Sequence, residues 1–303
     1  MNRRRFLSMS GAACLSSSGC SPGRAPRTAA RGLPAIAGGS SPLTPPGNGD
    51  NRATYLPDGS AILFASSRSG RSQIWAMDPD GRRVRQVHHS DANDQGRVAP
   101  SPDGTRLCFS SDRSGESAVY VLDRSSDQVT LVSDPGCWSF GPTWSSRDLI
   151  AWFSRKGGHQ INTWTARPDG SDARQITDRP GESRQPWWSP DGERLALSAD
   201  GGSGAFQVWL MRPDGTGARA ITAGGNYQQP YWSPDGQRIA VSAKRDEPRF
   251  RIYVMDAAGG DVQVIPQPRE VDNVHPAWSP DGGAIVFTSG QGADGALWRF
   301  VFA

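Results

Sequence analysis

Gln185-Pro186-Trp187-Trp188-Ser189-Pro190-Asp191-Gly192 is a short strand that runs into a tight turn. Pro190 fixes φ at about −65° for the first corner of a type I turn, and Gly192 supplies the positive φ that sends the chain back. Three more apolar runs follow: Arg194-Leu195-Ala196-Leu197-Ser198, Gln207-Val208-Trp209-Leu210 and Ala220-Ile221-Thr222. All four are too short for helices, rich in β-branched and aromatic residues, and bounded by Gly, Pro, Asp and Ser. That is the pattern of strands. The unit is a four-stranded antiparallel meander, with strands A to D in chain order.

The unit recurs. Its turn, or a degraded form of it, stands at Pro57-Asp58-Gly59, Pro102-Asp103-Gly104, Ser146-Arg147-Asp148, Pro190-Asp191-Gly192, Pro234-Asp235-Gly236 and Pro280-Asp281-Gly282, at steps of 45, 44, 44, 44 and 46 residues. Six such copies predict an all-β fold, a six-bladed β-propeller of four-stranded antiparallel blades over residues 51–303. In a meander the A–B turns share one rim with the C–D turns, such as Arg167-Pro168-Asp169-Gly170 and Arg212-Pro213-Asp214-Gly215. The variable B–C and D–A loops share the other rim, where repeat proteins place binding.

The last copy stops after three strands, at 274–279, 284–289 and 296–301. An open edge of that kind needs a partner, and a segment around residues 33–37 is the candidate that would join the two ends of the chain. Pro34 and Gly38-Gly39 weigh against a regular strand there.

Trp144, Trp188, Trp232 and Trp278 hold one fixed point of the inner strand, with Tyr55 and Pro100 in the other two copies. A bulky residue repeated there packs blade against blade, and that reading is preferred to a stacking platform for sugars or bases.

Tyr231-Trp232-Ser233-Pro234-Asp235-Gly236, Arg238-Ile239-Ala240-Val241 and Ile252-Tyr253-Val254-Met255-Asp256 resemble the WD40-like (PD40) propeller repeat of the TolB family, and the resemblance covers about residues 51–303. It implies the propeller and says little about activity. The family's namesake carries an α/β domain ahead of its propeller, whereas about 30 residues separate signal and first copy here, so a role in the Tol–Pal system does not follow from the repeats.

At the N-terminus, Arg3-Arg4-Arg5-Phe6-Leu7 resembles a twin-arginine export signal. The apolar stretch after it is too short and too polar to span a bilayer. Ser17-Ser18-Gly19-Cys20-Ser21 resembles a lipoprotein cleavage box, which would make Cys20 an acylated N-terminus; simple cleavage would instead release a free periplasmic protein. Residues 1–20 are therefore read as an export signal and 21–50, rich in Gly, Pro, Ser and Ala, as a flexible tether. The only membrane contact expected is through the lipid anchor.

The chain has 33 basic and 30 acidic residues, and removal of the first nineteen takes away Arg3, Arg4 and Arg5 and leaves 30 of each. A neutral body offers no footprint for nucleic acid. Cys108 and Cys137 fall on a strand and a loop, where an unpaired state is expected over a disulfide.

Counting back from the turns aligns Arg52, Arg97, Gly141, Gln185, Gln229 and His275 at one position of the channel-lining strand. Two cations, two amides and an imidazole converging from different blades suit a carboxylate, a phosphate or sugar hydroxyls. The same residues would otherwise simply meet water in an open pore. The D–A loops add Trp138, Arg184, Tyr227 and Asn273 as candidate ligand-binding residues.

No metal or cofactor is expected. Oligogalacturonate lyase is built on similar repeats and, as the resemblance implies, holds a metal with several His; here His275 is the only imidazole in the ring, with His88, His89 and His159 elsewhere. No nucleophile pattern or hydrolase domain is evident, and the turn Asp residues suit backbone hydrogen bonds better than calcium. No catalytic residue is assigned. The resulting reading is an exported, monomeric, non-enzymatic binding or scaffold protein of the cell envelope that meets a protein or peptide on its B–C and D–A loop face. Two alternatives stay open: a glycan or small-molecule enzyme of lyase or hydrolase type that uses the polar ring, and a purely structural envelope component.

Overall fold

The computed structural model describes residues 35–303 and arranges 24 strands as six four-stranded antiparallel sheets. After β1 (Gly38–Pro42), blade one consists of β2 (Asn51–Tyr55), β3 (Ile62–Ser66), β4 (Gln73–Met77) and β5 (Arg85–Gln86). Blade two has β6 (Asp94–Pro100), β7 (Arg106–Ser114), β8 (Glu116–Asp123) and β9 (Val129–Leu131). Blade three has β10 (Ser139–Trp144), β11 (Ile150–Ser154), β12 (Asn162–Ala166) and β13 (Arg174–Gln175). Blade four has β14 (Ser183–Trp188), β15 (Leu195–Ala199), β16 (Gln207–Met211) and β17 (Arg219–Ala220). Blade five has β18 (Asn226–Trp232), β19 (Arg238–Lys244), β20 (Arg251–Asp256) and β21 (Gln263–Val264). Blade six takes β22 (Asn273–Trp278), β23 (Ala284–Ser289) and β24 (Ala296–Phe302), and β1 is its fourth strand.

The closing strand lies later than expected. Gly38 pairs with Phe302 and the register runs to Pro42 opposite Trp298, so residues 38–42 seal the ring rather than 33–37. The glycine that argued against a strand is what permits it. Gly38 sits at φ 147°, and a Cβ there would lie 2.0 Å from the Val301 carbonyl oxygen. Pro42 falls at the end of an outermost strand, where a missing N–H costs no ladder bond.

Residues 43–50, expected to belong to the tether, are held against the propeller instead. Leu43 N–H donates to Leu297 O at 2.8 Å, Thr44 Oγ1 accepts from Leu297 N–H at 3.0 Å, and buried Asp50 pairs with Arg68 at 2.7 Å. The export signal and Cys20 lie outside the described residues.

Trp144, Trp188, Trp232 and Trp278 are buried, each within an apolar cluster that joins its blade to the one before. At three of these joints an arginine of the preceding blade covers the indole: Arg106 on Trp144 at 4.8 Å, Arg194 on Trp232 at 4.8 Å and Arg238 on Trp278 at 4.6 Å. Leu149 takes that place beside Trp188.

The degraded turn of blade three is a variant with its own bond. Asp148 stands where the other turns have Gly, at φ 56°, and its Oδ1 accepts the Trp144 indole N–H at 3.0 Å. Cys108 is buried, and it and Cys137 are both free thiols. Burial pushes the Cys108 thiol well above its usual range.

Candidate functional site

Every inner strand is bulged where it enters the channel. In five blades two residues face one on the neighbouring strand, as where Gln185 and Pro186 interrupt the register between Arg184 and Trp187. The bulge puts Arg52, Gln185, Gln229 and His275 at φ 54° to 57° and Gly141 at 62°. That left-handed conformation costs a residue with a Cβ about 1–2 kcal/mol.

Hydrogen bonds between blades offset the cost. Gly141 N–H donates to Ser110 Oγ (3.1 Å), Gln229 N–H to Ser198 Oγ (3.0 Å), His275 N–H to Ser242 Oγ (3.1 Å) and Arg52 N–H to Thr288 Oγ1 (3.0 Å). Each hydroxyl belongs to the second strand of the preceding blade. Gln185 Oε1 accepts from Ser198 Oγ (3.0 Å) and Gln229 N–H (3.1 Å), and Gln229 Oε1 accepts from Ser242 Oγ (2.7 Å) and His275 N–H (2.8 Å). The two glutamines therefore spend their carbonyls on the ring and keep their Nε2 groups for other partners.

Blade two departs from this pattern. Three residues, Gly96, Arg97 and Val98, bulge between Gln95 and Ala99, and Gly96 takes the positive φ of 82°. The extra residue throws Arg97 across the channel, where Nη1 donates to Pro276 O of blade six at 3.0 Å. Its guanidinium lies 5.1 Å from the ring centroids of both Trp187 and Tyr231, which stack on each other at 4.0 Å. Tyr231 Oη in turn reaches Thr54 Oγ1 of blade one at 3.2 Å. These contacts tie five blades together across the axis and floor the channel.

Above the floor lies a chamber lined by Arg52, Arg97, Gln185, Gln229 and His275 on its polar side. Phe140, Phe153, Trp187 and the three prolines Pro142, Pro186 and Pro230 make the rest. Its cavity volume is about 70 Å³. Phe153 occupies the place where four other blades carry the ring hydroxyl, and it allows only glycine opposite, since a Cβ on Gly141 would lie 2.5 Å from its ring. Arg52 lies 5.3 Å from the Phe140 centroid, and Phe140 packs edge-on against Phe153 at 5.9 Å.

No acid among the described residues lines this chamber. Among the described residues the Arg52 guanidinium bonds only to Asn51 Oδ1, at a long 3.4 Å, and that of Arg97 only to the Pro276 carbonyl. Burial lowers the pKa of Arg52 and brings Arg97 down to about 10. Burial, followed by the charges of Arg52 and Arg97, holds His275 well below 6.5, so its imidazole is neutral, and its buried Nδ1 has no partner among the described residues. Two positive charges thus face a small, largely apolar space with no counter-charge.

The loop candidates stand elsewhere. Arg184 pairs with Glu182 and covers Phe206. Tyr227 is buried in the cluster between blades four and five. Asn273 is buried and donates from Nδ2 to the carbonyls of Pro268 (2.6 Å) and Val271 (3.3 Å). Trp138 stacks on Phe140 at 5.8 Å, one layer outside the chamber. No cluster of three or more His, Cys, Asp or Glu suited to a metal occurs among the described residues.

Counting back from the turns does not reach the floor aromatics Trp187 and Tyr231, but a signal for them exists. The residue before each framework position reads Thr54, Ala99, Thr143, Trp187, Tyr231 and Ala277, small in four copies and aromatic in two adjacent ones. Alternation along a strand turns that position into the channel.

A stretch of 52 residues is 36% identical to the Tol-Pal system protein TolB of Nitratidesulfovibrio vulgaris, covering 17% of this chain and 12% of that protein. The putative TolB from Agrobacterium tumefaciens superposes with a TM-score of 0.64 at 21% identity, over 84% of this chain and 91% of that one. A gluconolactonase from Xanthomonas campestris superposes with a TM-score of 0.65 at 15% identity, over 91% and 99%. At such identities both structures share the fold alone. The family model of the TolB beta propeller domain matches residues 48–167 and 148–302, which takes in strands β2 to β24, and the chain belongs to that family.

Proposed function

We propose that this chain is an exported, non-catalytic recognition protein of the cell envelope. It meets a protein or peptide partner on the B–C and D–A loop face, and the chamber receives one group inserted from that face. The observation that carries this reading is the floor made by Arg97, Trp187 and Tyr231. A channel closed there is a blind socket and not a conduit, and its walls are set by inter-blade bonds before any ligand arrives. Preorganisation of that kind lowers the ordering cost of association. Export is supported by Arg3-Arg4-Arg5-Phe6-Leu7 and the weakly apolar stretch after it.

Photo-crosslinking tests the reading. A crosslinking residue placed at position 138 or 184 is expected to capture a discrete partner in envelope preparations, while the same residue at position 235, on the turn face, captures none. Capture from the turn face alone, or from neither face, rejects it.

A further inference from the structure

We infer that the chamber is a carboxylate site: it takes one carboxylate carried on a flat apolar body, delivered either by a free organic acid or by the C-terminus or an acidic side chain of a peptide. The assignment rests on the loop-face reading and names the chemistry of what enters.

The charge argument comes from comparisons within the chain. Arg68 and Arg113, on blades one and two, are partly buried, and each is neutralised by a fully buried carboxylate, Asp50 at 2.7 Å and Asp94 at 2.9 Å. Arg52 and Arg97 follow those same aspartates by two and three residues and have none. A guanidinium withdrawn from water without an anion costs stability. Two such groups aimed at one small space describe a site waiting for its counter-charge.

The donors fit a planar anion. Arg97 uses one N–H on Pro276 and Arg52 makes one long bond, so guanidinium edges remain for the parallel two-bond pairing that carboxylates favour. The Nε2 groups of Gln185 and Gln229 add neutral donors at the same level.

The remaining lining decides between anions. Phe140, Phe153, Trp187 and the ring prolines would leave the outer oxygens of a phosphate dianion without solvent or donors, a costly burial. The same surfaces suit an aromatic ring or a short acyl chain. The free volume, about 70 Å³ for the centres of water-sized molecules, corresponds to roughly five waters and admits one side chain or a small acid.

The test is calorimetric titration of the full chain at low ionic strength and neutral pH with benzoate, its neutral isostere benzamide, and inorganic phosphate. Benzoate is expected to bind one to one and at least tenfold more tightly than either of the others. Arg97→Met and Arg52→Gln are each expected to weaken benzoate at least tenfold. Arg52→Gln, whose side chain makes only one long bond, serves if Arg97→Met does not fold. Phosphate or benzamide binding as tightly as benzoate, no benzoate binding, or full affinity in a folded variant overturns the assignment.

A pair of short peptides ending in Phe, one with a free and one with an amidated C-terminus, separates the sources. Tighter binding of the free acid than of benzoate identifies a peptide as the source, and the reverse a small acid. Loop-face crosslinks without benzoate binding reject the carboxylate and keep the partner reading. Benzoate binding without crosslinks does the opposite.

Discussion

Arg97 Nη1 and the carbonyl oxygen of Pro276 meet at 3.0 Å across the channel axis, joining blade two to blade six. The bond satisfies one guanidinium N–H and leaves the charge uncompensated, so the residue contributes less to stability than its burial suggests. Arg97→Met, which keeps the apolar stem over Trp187 and Tyr231, is expected to be neutral or to stabilise by up to about 2 kcal/mol in urea denaturation. A loss of several kcal/mol would make the crossing structural.

Ser242 serves two partners, accepting from His275 N–H at 3.1 Å and donating to Gln229 Oε1 at 2.7 Å. Ser242→Ala leaves a backbone donor and a side-chain acceptor each with one bond fewer, at an expected cost of about 1–2 kcal/mol. Ser110→Ala, which removes only the bond to Gly141 N–H, is expected to cost less. The same denaturation series ranks the two.

His275 gives the fold a pH dependence whose sign follows from its depressed pKa. Above 6.5 the imidazole is neutral folded and unfolded and contributes nothing. As the pH falls through 6.5 the unfolded chain takes up a proton that the folded chain refuses, and stability falls by up to about 1.4 kcal/mol per pH unit until the folded pKa is reached. Unfolding free energies measured between pH 7.5 and 5 should show this slope, and His275→Gln should flatten it. A carboxylate bound beside His275 should raise its pKa and weaken the slope in the same way.

Gly38→Ala tests the seal. The new Cβ meets the Val301 carbonyl in a conformation that L residues avoid, so a loss of about 1–3 kcal/mol is expected. Deleting residues 1–42 should cost more and leave β24 as a bare edge. Thermal unfolding reads the first variant and light scattering the second.

The legibility of the chain follows its periodicity. The blades, the buried tryptophans and the convergence of Arg52, Gln185, Gln229 and His275 could be counted from Pro-Asp-Gly, because a turn fixes the register of the strand leading into it. One added residue in β6 was invisible to that count, so the arginine aligned with the ring became part of the floor. Tyr227 and Asn273 failed to reach the chamber because they precede the bulge, where the backbone reverses the usual alternation. The closing strand lies five residues beyond the segment the sequence points to, because the glycine that ordinarily weakens a strand is here demanded by a close carbonyl.

The pairing of Gly38 with Phe302 also makes the circle depend on a contact between segments far apart along the chain. All the other strands lie between the two segments, so chain entropy opposes their pairing until the intervening blades have drawn them together. Without that ladder, blades one to five would keep their four strands and blade six would be left with three and an open edge.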